Sequence, residues 1–389
     1  MIAAAPGESA FVENPSRDPM PITNLKALAI YLPQFHPIPE NDEWWGAGFT
    51  EWTNVTGARR LFPGHYQPRL PTDLGFTDLR LPEVRQAQAD LARAHGIHGF
   101  CYYHYWFEGR RLIERPFDEV LASGEPDFPF CLCWANETWS RRWLGEEREV
   151  LLKQTYSMAD HERHAAWLAR AFADPRHVRV GGRPLFLIYR PFDIPDLERA
   201  LEVYRTTALR ELGVDPYLVG VDSHRAGADM REHGFDAAMN FTPQLGLVPG
   251  ALEDWFSKRK LLRNLKHGAW DGRLTVADYR EMSALFWERR PRHDHWFPSV
   301  FVGWDNTARR KKRGVVMVND GPEPFARNIR QAVEVLASRP EEERILFVNA
   351  WNEWAEGNHL EPDLRHGLGM LEALRAELQR AAGLGAAGG

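Results

Sequence analysis

The chain has 389 residues, of which 44% are hydrophobic and 26% are charged, and these proportions exclude a mainly disordered, collagen-like or low-complexity protein. The formal net charge of −6 argues against a nucleic-acid partner, and the basic run at residues 309–313 is expected to be a solvated loop. Tryptophan is unusually frequent, with 15 residues beside 21 Phe and 10 Tyr.

Cysteine content and hydropathy give expectations about the compartment. Cys101, Cys131 and Cys133 lie inside apolar segments, and three cysteines are too few for a disulfide framework. No apolar run approaches the roughly 20 residues of a membrane-spanning helix, and the N-terminus lacks a basic leader with an apolar core. We therefore expect a cytoplasmic protein without a membrane span.

Short apolar runs alternate with amphipathic segments along the chain. The runs predict eight strands: Leu28–Leu32, Gly99–Tyr103, Phe130–Trp134, Leu185–Tyr189, Tyr217–Val221, Ala237–Phe241, Val300–Trp304 and Leu346–Ala350. Apolar residues spaced three and four apart predict helices over Pro82–His95, Ala159–Ala173, Leu197–Leu212, Pro324–Ala337 and Leu368–Leu378. Because helical connections imply parallel strands buried on both faces, the alternation predicts an α/β fold, a (β/α)8 TIM barrel with enlarged βα loops.

A doubly wound open sheet is the competing architecture. It usually carries a glycine-rich turn after its first strand, whereas this first strand is followed by Pro33-Gln34-Phe35-His36-Pro37. We therefore favour a single-domain barrel over residues 25–381, with tails at 1–24 and 382–389.

Two connections are longer than a simple crossover helix, and long ordered loops are usually functional. They are residues 33–81 after the first strand and residues 242–298 between the sixth and seventh strands. The second contains two helical patterns, Leu252–Leu265 and Ala277–Arg289, which would suit a small lid.

Polar and aromatic residues follow the predicted strands at their carboxyl ends, where barrel enzymes place their catalytic groups. Acids, amides and imidazoles mixed with tryptophan are typical of carbohydrate sites, because sugar C–H faces stack on indole and hydroxyls bind planar polar groups. The expected substrate-binding residues are Tyr31, His36, Trp45, Glu51, Trp52, Tyr103, His104, Trp106, Trp134, Asn136, Glu137, Trp139, Asp222, Trp304, Asp305, Trp351, Asn352 and Trp354. For several of the tryptophans, a place in the barrel core is the alternative.

The segment LFVNAWNEWAEGNHLEPD carries the strongest chemical signal. Glu353 and Glu356 are three residues apart, which would put them on opposite faces of a strand but on one face of a helical turn. Gly357 favours such a turn. Two carboxylates at a strand end suit glycoside hydrolysis, in which one group protonates the leaving oxygen and the other acts as base or nucleophile.

Five segments resemble, in order, the glycoside hydrolase family 99-like group, and most closely its WbsX-type members, which are often found with polysaccharide and lipopolysaccharide O-antigen assembly genes. They are YLPQFHPIPENDEWWGAGFTEWTNV (31–55), GFCYYHYWF (99–107), CWANETWSRRW (133–143), LLKQTYS (151–157) and WNEWAEGNHLEPD (351–363). The resemblance covers about residues 26–380.

The resemblance implies a (β/α)8 barrel and retaining cleavage within α-mannosides. It implies that Glu356 is the general acid/base, and that Glu353 deprotonates the sugar's own 2-hydroxyl, which attacks the anomeric carbon to give a 1,2-anhydro sugar. A manno-configured α-glycoside, of D-mannose or L-rhamnose, is therefore the implied substrate. The sequence departs from the family pattern at Ala355, where family 99 enzymes typically carry His, and in Asn358-His359.

Three alternatives stay open. Glu137 and Glu353, at the ends of two strands, would form an acid/base and nucleophile pair across the cleft. In the second alternative, the protein is a glycosyltransferase or transglycosylase of O-antigen or cell-surface polysaccharide synthesis, although no convincing DxD-like site is seen. A non-catalytic carbohydrate-binding barrel is the third.

No cofactor or metal is expected, and the expected partner is an oligosaccharide or polysaccharide. The loop histidines are separated in sequence and more often make hydrogen bonds or contact sugars than bind metal. They are His36, His104, His224 and His293-Asp294-His295.

Overall fold

A closed barrel of eight parallel strands forms the centre of the molecule. The computed structural model describes residues 21–141, 146–223, 227–253 and 255–384. The barrel strands are β1 Lys26–Tyr31, β2 Ile97–Phe107, β3 Phe130–Trp134, β4 Arg183–Ile188, β5 Tyr217–Val221, β6 Ala237–Asn240, β7 Trp296–Phe301 and β8 Ile345–Asn349. Neighbouring strands pair in parallel in chain order, and β8 closes onto β1 with Lys26 opposite Ile345. The predicted (β/α)8 fold is confirmed.

All eight predicted strands coincide with barrel strands, and β7 shows the largest shift. It begins at Trp296 rather than Val300 and ends at Phe301. Pro298 lies inside it, and a proline in a run normally argues against a strand. The residues that we expected to end this strand, Gly303 and Trp304, instead begin a loop.

The helices cover the outside of the barrel and fill the long connections. They are α1 Pro39–Trp45, α2 Glu51–Gly57, α3 Pro82–Ala94, α4 Arg115–Ser123, α5 Met158–Phe172, α6 Leu197–Leu212, α7 Lys258–Leu265, α8 Tyr279–Glu288, α9 Thr307–Arg310, α10 Pro322–Ala337 and α11 Gly369–Ala381. Every predicted helix has a counterpart, whereas α1, α2, α4 and α9 were not predicted. In the described part of the β5–β6 connection, the only helical turn is the 3₁₀ turn Met230–His233.

Alternating residues of the strands form two hydrophobic layers. Side chains such as Ile30, Cys101 and Phe347 fill the barrel interior, and the residues between them pack outward against the helices. The three cysteines are buried and unpaired. The apolar runs therefore have both faces covered, as parallel strands require.

The two long loops that were predicted are present, and the connection after β7 is enlarged as well. Residues 33–81 contain α1 and α2, and residues 242–298 contain α7, α8 and the strand Thr275–Asp278. The third, after β7, contains α9 and the strand Val315–Val318, which pairs in parallel with Thr275–Asp278. This pairing ties the second loop to the third.

The expected barrel domain spans residues 25–381. Most of the expected tails, residues 1–20 and 385–389, lie outside the described residues, so the division at 25 and 381 stays a prediction.

Among the described residues, none of the helices is both long enough and apolar enough to cross a bilayer.

Asn352 fixes the turn after β8 to the end of β1. Its Oδ1 accepts a hydrogen bond from the Leu32 amide at 2.8 Å, and its Nδ2 donates to the Leu32 carbonyl at 2.9 Å. Asn352→Ala leaves two buried backbone groups without partners, so we expect a loss of about 2–4 kcal/mol in the free energy of unfolding. Thermal and urea unfolding measure it. Gln86→Ala on the surface of α3 is the control, and equal stability of both variants would contradict this role.

Candidate active site

The chain makes a tight turn directly after β8. The two-residue strand Asn352–Glu353 leads into the 3₁₀ turn Trp354–Glu356. The strand Asn358–His359 then pairs antiparallel with Asn352–Glu353. Because a 3₁₀ helix has three residues per turn, side chains three positions apart, such as Glu353 and Glu356, lie on the same side of it. Gly357 has a left-handed φ of 59°, and a Cβ there would lie 2.8 Å from Arg69 Nε. The predicted turn at Gly357 is confirmed.

One arginine joins both glutamates to a third carboxylate. Arg309 Nη2 donates to Glu353 Oε1 at 2.8 Å, and Nη1 donates to Glu356 Oε1 at 2.8 Å. Its Nε donates to Glu51 Oε2 at 3.1 Å. Only 8% of the Arg309 side chain is exposed. The expectation of a solvated loop is therefore wrong for Arg309, because three distant carboxylates neutralise it, although residues 311–313 are exposed.

Asp305 binds the first residue of the short helix α9, which carries Arg309. Asp305 Oδ1 accepts hydrogen bonds from the Thr307 amide at 3.0 Å and the Thr307 hydroxyl at 2.5 Å. Its Oδ2 lies 2.8 Å from His65 Nε2 and accepts from Gln67 at 2.8 Å. Burial favours a higher pKa for Asp305, but these partners hold it below the ordinary value. Asp305 is fully buried, so it acts as a positioning residue and does not line the site.

Burial and mutual repulsion perturb the two glutamates. Burial, with the charges of Glu356 and Glu51, raises the pKa of Glu353 to about 8 against the opposing effect of Arg309. Burial also raises the pKa of Glu356, and Glu51 and Glu137 add to the rise. Because one guanidinium cannot neutralise three buried carboxylates, the cluster favours keeping a proton on the glutamate pair at neutral pH.

Two tyrosine hydroxyls lie close enough to the glutamates to be affected by their charges. Tyr103 points into the barrel and its ring lies 5.9 Å from that of Tyr189. Burial raises the pKa of both hydroxyls, and the negative charges of Glu353 at Tyr103 and of Glu137 and Glu356 at Tyr189 add to it. Tyr189 was not among the expected site residues, although it directly follows β4.

Glu137 faces the same mouth. It is half-buried, and Arg190 Nη1 donates to its Oε1 at 2.9 Å. Asn136 beside it is buried, with Oδ1 accepting from the Arg190 amide at 2.8 Å and Nδ2 donating to the Arg190 carbonyl at 2.9 Å. Asn136 therefore positions the end of β4, whereas Glu137 is accessible.

Several expected site residues point outward into the layer between barrel and helices. These are Tyr31, hydrogen-bonded to Gln88; His104, whose Nε2 is 2.9 Å from that of His164; Trp106, hydrogen-bonded to Asp160; Trp354, hydrogen-bonded to Glu361; and Trp134 and Trp351. Tyr31, His104, Trp106 and Trp134 lie within the observed strands, where alternation turns them away from the mouth. Trp351 and Trp354 follow β8 as expected but are buried against the outer layer. Asn352 and Trp304 are likewise buried. The tryptophan excess therefore gives little support to a sugar site.

The remaining expected residues lie around the first, third and fifth strands. Trp139 is half-buried with its ring 5.2 Å from Tyr105, and the Trp52 indole donates to the Thr77 carbonyl at 2.8 Å. Trp45 contacts Phe49, with 5.8 Å between ring centroids.

His36 and Asp222 are both buried titratable groups. Burial lowers the pKa of His36 to about 4 and raises that of Asp222 to about 6. Neither has a described hydrogen bond to the Arg309 cluster. His224 lies outside the described residues. Across the described ranges, no three His, Cys, Asp or Glu side chains are grouped so that they could hold a metal ion.

Sequence comparison relates the chain to known proteins. The family described as "Glycosyltransferase WbsX" matches residues 27–374. A protein of Xanthomonas campestris pv. campestris (strain B100), described as "Uncharacterized protein WxcX", is 42% identical over 380 residues, covering 97% of this chain and 52% of that protein. The chain thus spans about half the length of the curated relatives it matches.

Two solved structures share the fold. The GH99 endo-alpha-mannosidase from Bacteroides thetaiotaomicron aligns with a TM-score of 0.53 at 13% identity, covering 91% of this chain and 98% of that one. A structure described as a glycoside hydrolase-like protein aligns with a TM-score of 0.55 at 12% identity, covering 95% and 98%. At these identities the likeness shows the fold alone.

The raised pKa of Glu353 predicts that stability depends on pH. A carboxyl group whose pKa rises from 4.5 to about 8 on folding binds its proton more tightly in the folded state. The stability from this group is therefore full below about pH 4.5 and is lost as the pH rises to about 8. Glu353→Gln imitates the protonated form, so we expect it to lose less stability over this range.

Thermal unfolding from about pH 5 to about pH 9 measures this dependence. Glu342→Gln, at an exposed position, is the matched control and should keep the pH profile of the unmodified chain. If Glu353→Gln shows the same decline as that control, the proton does not reside on Glu353.

Proposed function

Because the chain belongs to the WbsX glycosyltransferase family, we propose that it is a carbohydrate-active enzyme in which Glu353 and Glu356 cleave α-linked manno-configured glycans with retention. The observation that carries this proposal is the pair of carboxylates, one buried and one partly buried, that Arg309 bridges beyond the carboxyl end of β8. Such a pair provides one proton donor and one base, which is the requirement for glycosidic cleavage.

The two glutamates differ in access. About a quarter of the Glu356 side chain is exposed, 25% against 10% for Glu353. We therefore assign Glu356 to the glycosidic oxygen as general acid/base. Glu353, deeper in the site, is assigned to the sugar's 2-hydroxyl.

The proposed reaction has two steps. Glu353 takes the proton of the 2-hydroxyl while O2 bonds to C1, and the glycosidic C1–O bond breaks as Glu356 protonates the leaving oxygen. Water then attacks C1 of the 1,2-anhydro sugar and gives its proton to Glu356, while the C1–O2 bond breaks and Glu353 returns its proton to O2. If a sugar hydroxyl replaces water, the same steps give transfer.

Substrate has to redistribute the proton between the glutamates. In the substrate-free site burial favours a proton on Glu353. A 2-hydroxyl that donates to Glu353 stabilises its ionised form, and a glycosidic oxygen that accepts from Glu356 stabilises the protonated form. Substrate contacts therefore act in the direction that this mechanism needs.

Glycosyl transfer is the second candidate function, and the family description favours it. The half-exposed Glu137 also keeps the Glu137–Glu353 pair as an alternative to the Glu353–Glu356 pair. These alternatives differ in which product forms and in which glutamate is indispensable.

The first test replaces each glutamate singly by Gln and assays α-linked manno- and rhamno-oligosaccharides. We expect Glu353→Gln and Glu356→Gln to lose roughly 10³-fold in turnover, because each removes a proton-transfer group. Glu137→Gln should change turnover by less than roughly tenfold. Full activity of Glu356→Gln with an inactive Glu137→Gln would show that the pair is wrongly assigned.

Products distinguish the two functions in the same assay. Shorter products alone indicate hydrolysis, and longer products indicate transfer. Sugar binding without either product, across a broad glycan panel, would overturn the enzymatic proposal in favour of a carbohydrate-binding barrel.

A second test removes the attacking group from the substrate. A 2-deoxy analogue of a cleaved substrate should bind but not react, because no 2-hydroxyl remains to attack C1. Mass spectrometry of the protein during turnover should show no covalent sugar. A glycosyl adduct on a glutamate would instead establish direct attack by the protein.

A further inference from the structure

Residues 252–270, in the second enlarged loop, expose six large apolar side chains, here termed the apolar patch. They are Leu252, Trp255, Phe256, Leu262, Leu265 and Trp270. Leu262 is 67% exposed and Trp270 is 78% exposed, which is far more than a side chain packed in a hydrophobic core would expose. Large exposed apolar patches usually mark a surface that meets a partner.

Helix α7 at the centre of the apolar patch has an unusual distribution of buried and exposed side chains. It buries Lys260 and Asn264 and exposes Leu262 and Leu265, whereas a surface helix normally does the reverse. Lys260 Nζ donates to the carbonyls of Glu253 and Arg273, both at 2.7 Å.

Asn264 completes the inner face of α7. Its amide donates to the carbonyls of Asp271 and Leu274 at 2.8 and 2.7 Å, and its Oδ1 accepts from the Val276 amide at 3.1 Å. Polar side chains therefore attach α7 to the molecule, and the outward leucines are not needed for this attachment.

Exposed cations surround the apolar patch. Lys258, Arg259 and Lys266 are exposed on or beside α7. The exposed residues 311–313 lie next to it, since Lys312 Nζ is 3.8 Å from Asp271 Oδ2. This concentration of positive charge contrasts with the formal net charge of −6 for the whole chain.

We propose that the apolar patch and its cations bind the surface of an anionic phospholipid bilayer. Tryptophan, phenylalanine and leucine beside lysine and arginine form the composition that inserts at the boundary of lipid headgroups and acyl chains. A sugar would need planar polar partners beside the aromatic rings, not leucines and lysines. A second copy would bring two positive surfaces together.

Bilayer binding would hold the barrel mouth at the membrane. Thr275, five residues after Trp270, donates its amide to the Gly314 carbonyl at 3.0 Å, and its strand pairs with Val315–Val318 of the loop that carries Arg309. The segment that carries the apolar patch is thus connected, through these paired strands, to the loop that carries Arg309. This proposal goes beyond the proposed function and is tested without any substrate.

Vesicle co-sedimentation of the 389-residue chain tests the proposal, with phosphatidylcholine vesicles containing or lacking phosphatidylglycerol. We expect binding to the anionic vesicles that weakens with added salt. The triple variant Leu262→Ser, Leu265→Ser, Trp270→Ser should bind roughly 50-fold more weakly or worse. Lys258→Gln with Lys266→Gln should weaken binding by about 20- to 30-fold.

Matched controls lie on α6. Leu209→Ser removes another exposed leucine, and Arg199→Gln with Arg210→Gln removes two exposed charges. These variants should bind as the unmodified chain does, and unfolding curves should show that every variant is folded.

Several results would overturn the proposal. One is the absence of binding to either kind of vesicle, and another is unchanged binding by the triple variant. A dimer that the triple variant converts to monomer would assign the apolar patch to a second copy. Quenching of tryptophan fluorescence by glycans, lost in Trp270→Ser without vesicle binding, would assign it to sugar.

Discussion

The contact of the Arg309 guanidinium with Glu51, Glu353 and Glu356 is the interaction on which the site depends. A buried charge is tolerated only when it is paired and hydrogen-bonded, so each of these four groups requires the others. They come from α2, from α9 and from the turn after β8. Two of the enlarged loops are therefore held against the barrel by the same charges that set the pKa values of the glutamates.

Buried amides perform a second kind of fixation at the mouth. Asn352 bonds both backbone groups of Leu32, and Asn136 bonds both backbone groups of Arg190. Each side-chain amide hydrogen-bonds the backbone just beyond the end of a strand, where no neighbouring strand continues the pairing. The polar residues after the strands thus divide into those that build the rim and those, such as Glu137 and Glu356, that remain accessible inside it.

Most of the fold was predictable, because buried parallel strands and amphipathic helices leave clear periodic patterns in the sequence. The glutamate pair was also predictable, since it follows β8 within a distinctive motif. Arg309 was not, because its run of basic residues is typical of a solvated loop and its partners are about 44 to 258 residues away in the chain. The outward orientation of Trp106 and Trp134 follows from strand alternation, because each is an odd number of residues from an inward-pointing side chain, Tyr103 or Cys133.

The sequence by itself determined the barrel, its eight strands and the two glutamates, because these depend on local periodicity and on neighbouring residues. Only the tertiary structure decided which polar residues meet. It brought Arg309 between the carboxylates, turned Trp106 and Trp134 toward the helices, placed Tyr103 and Tyr189 near the glutamates and left leucines on the outside of α7. Each of these outcomes depends on contacts between distant segments, and such contacts have no period in the sequence.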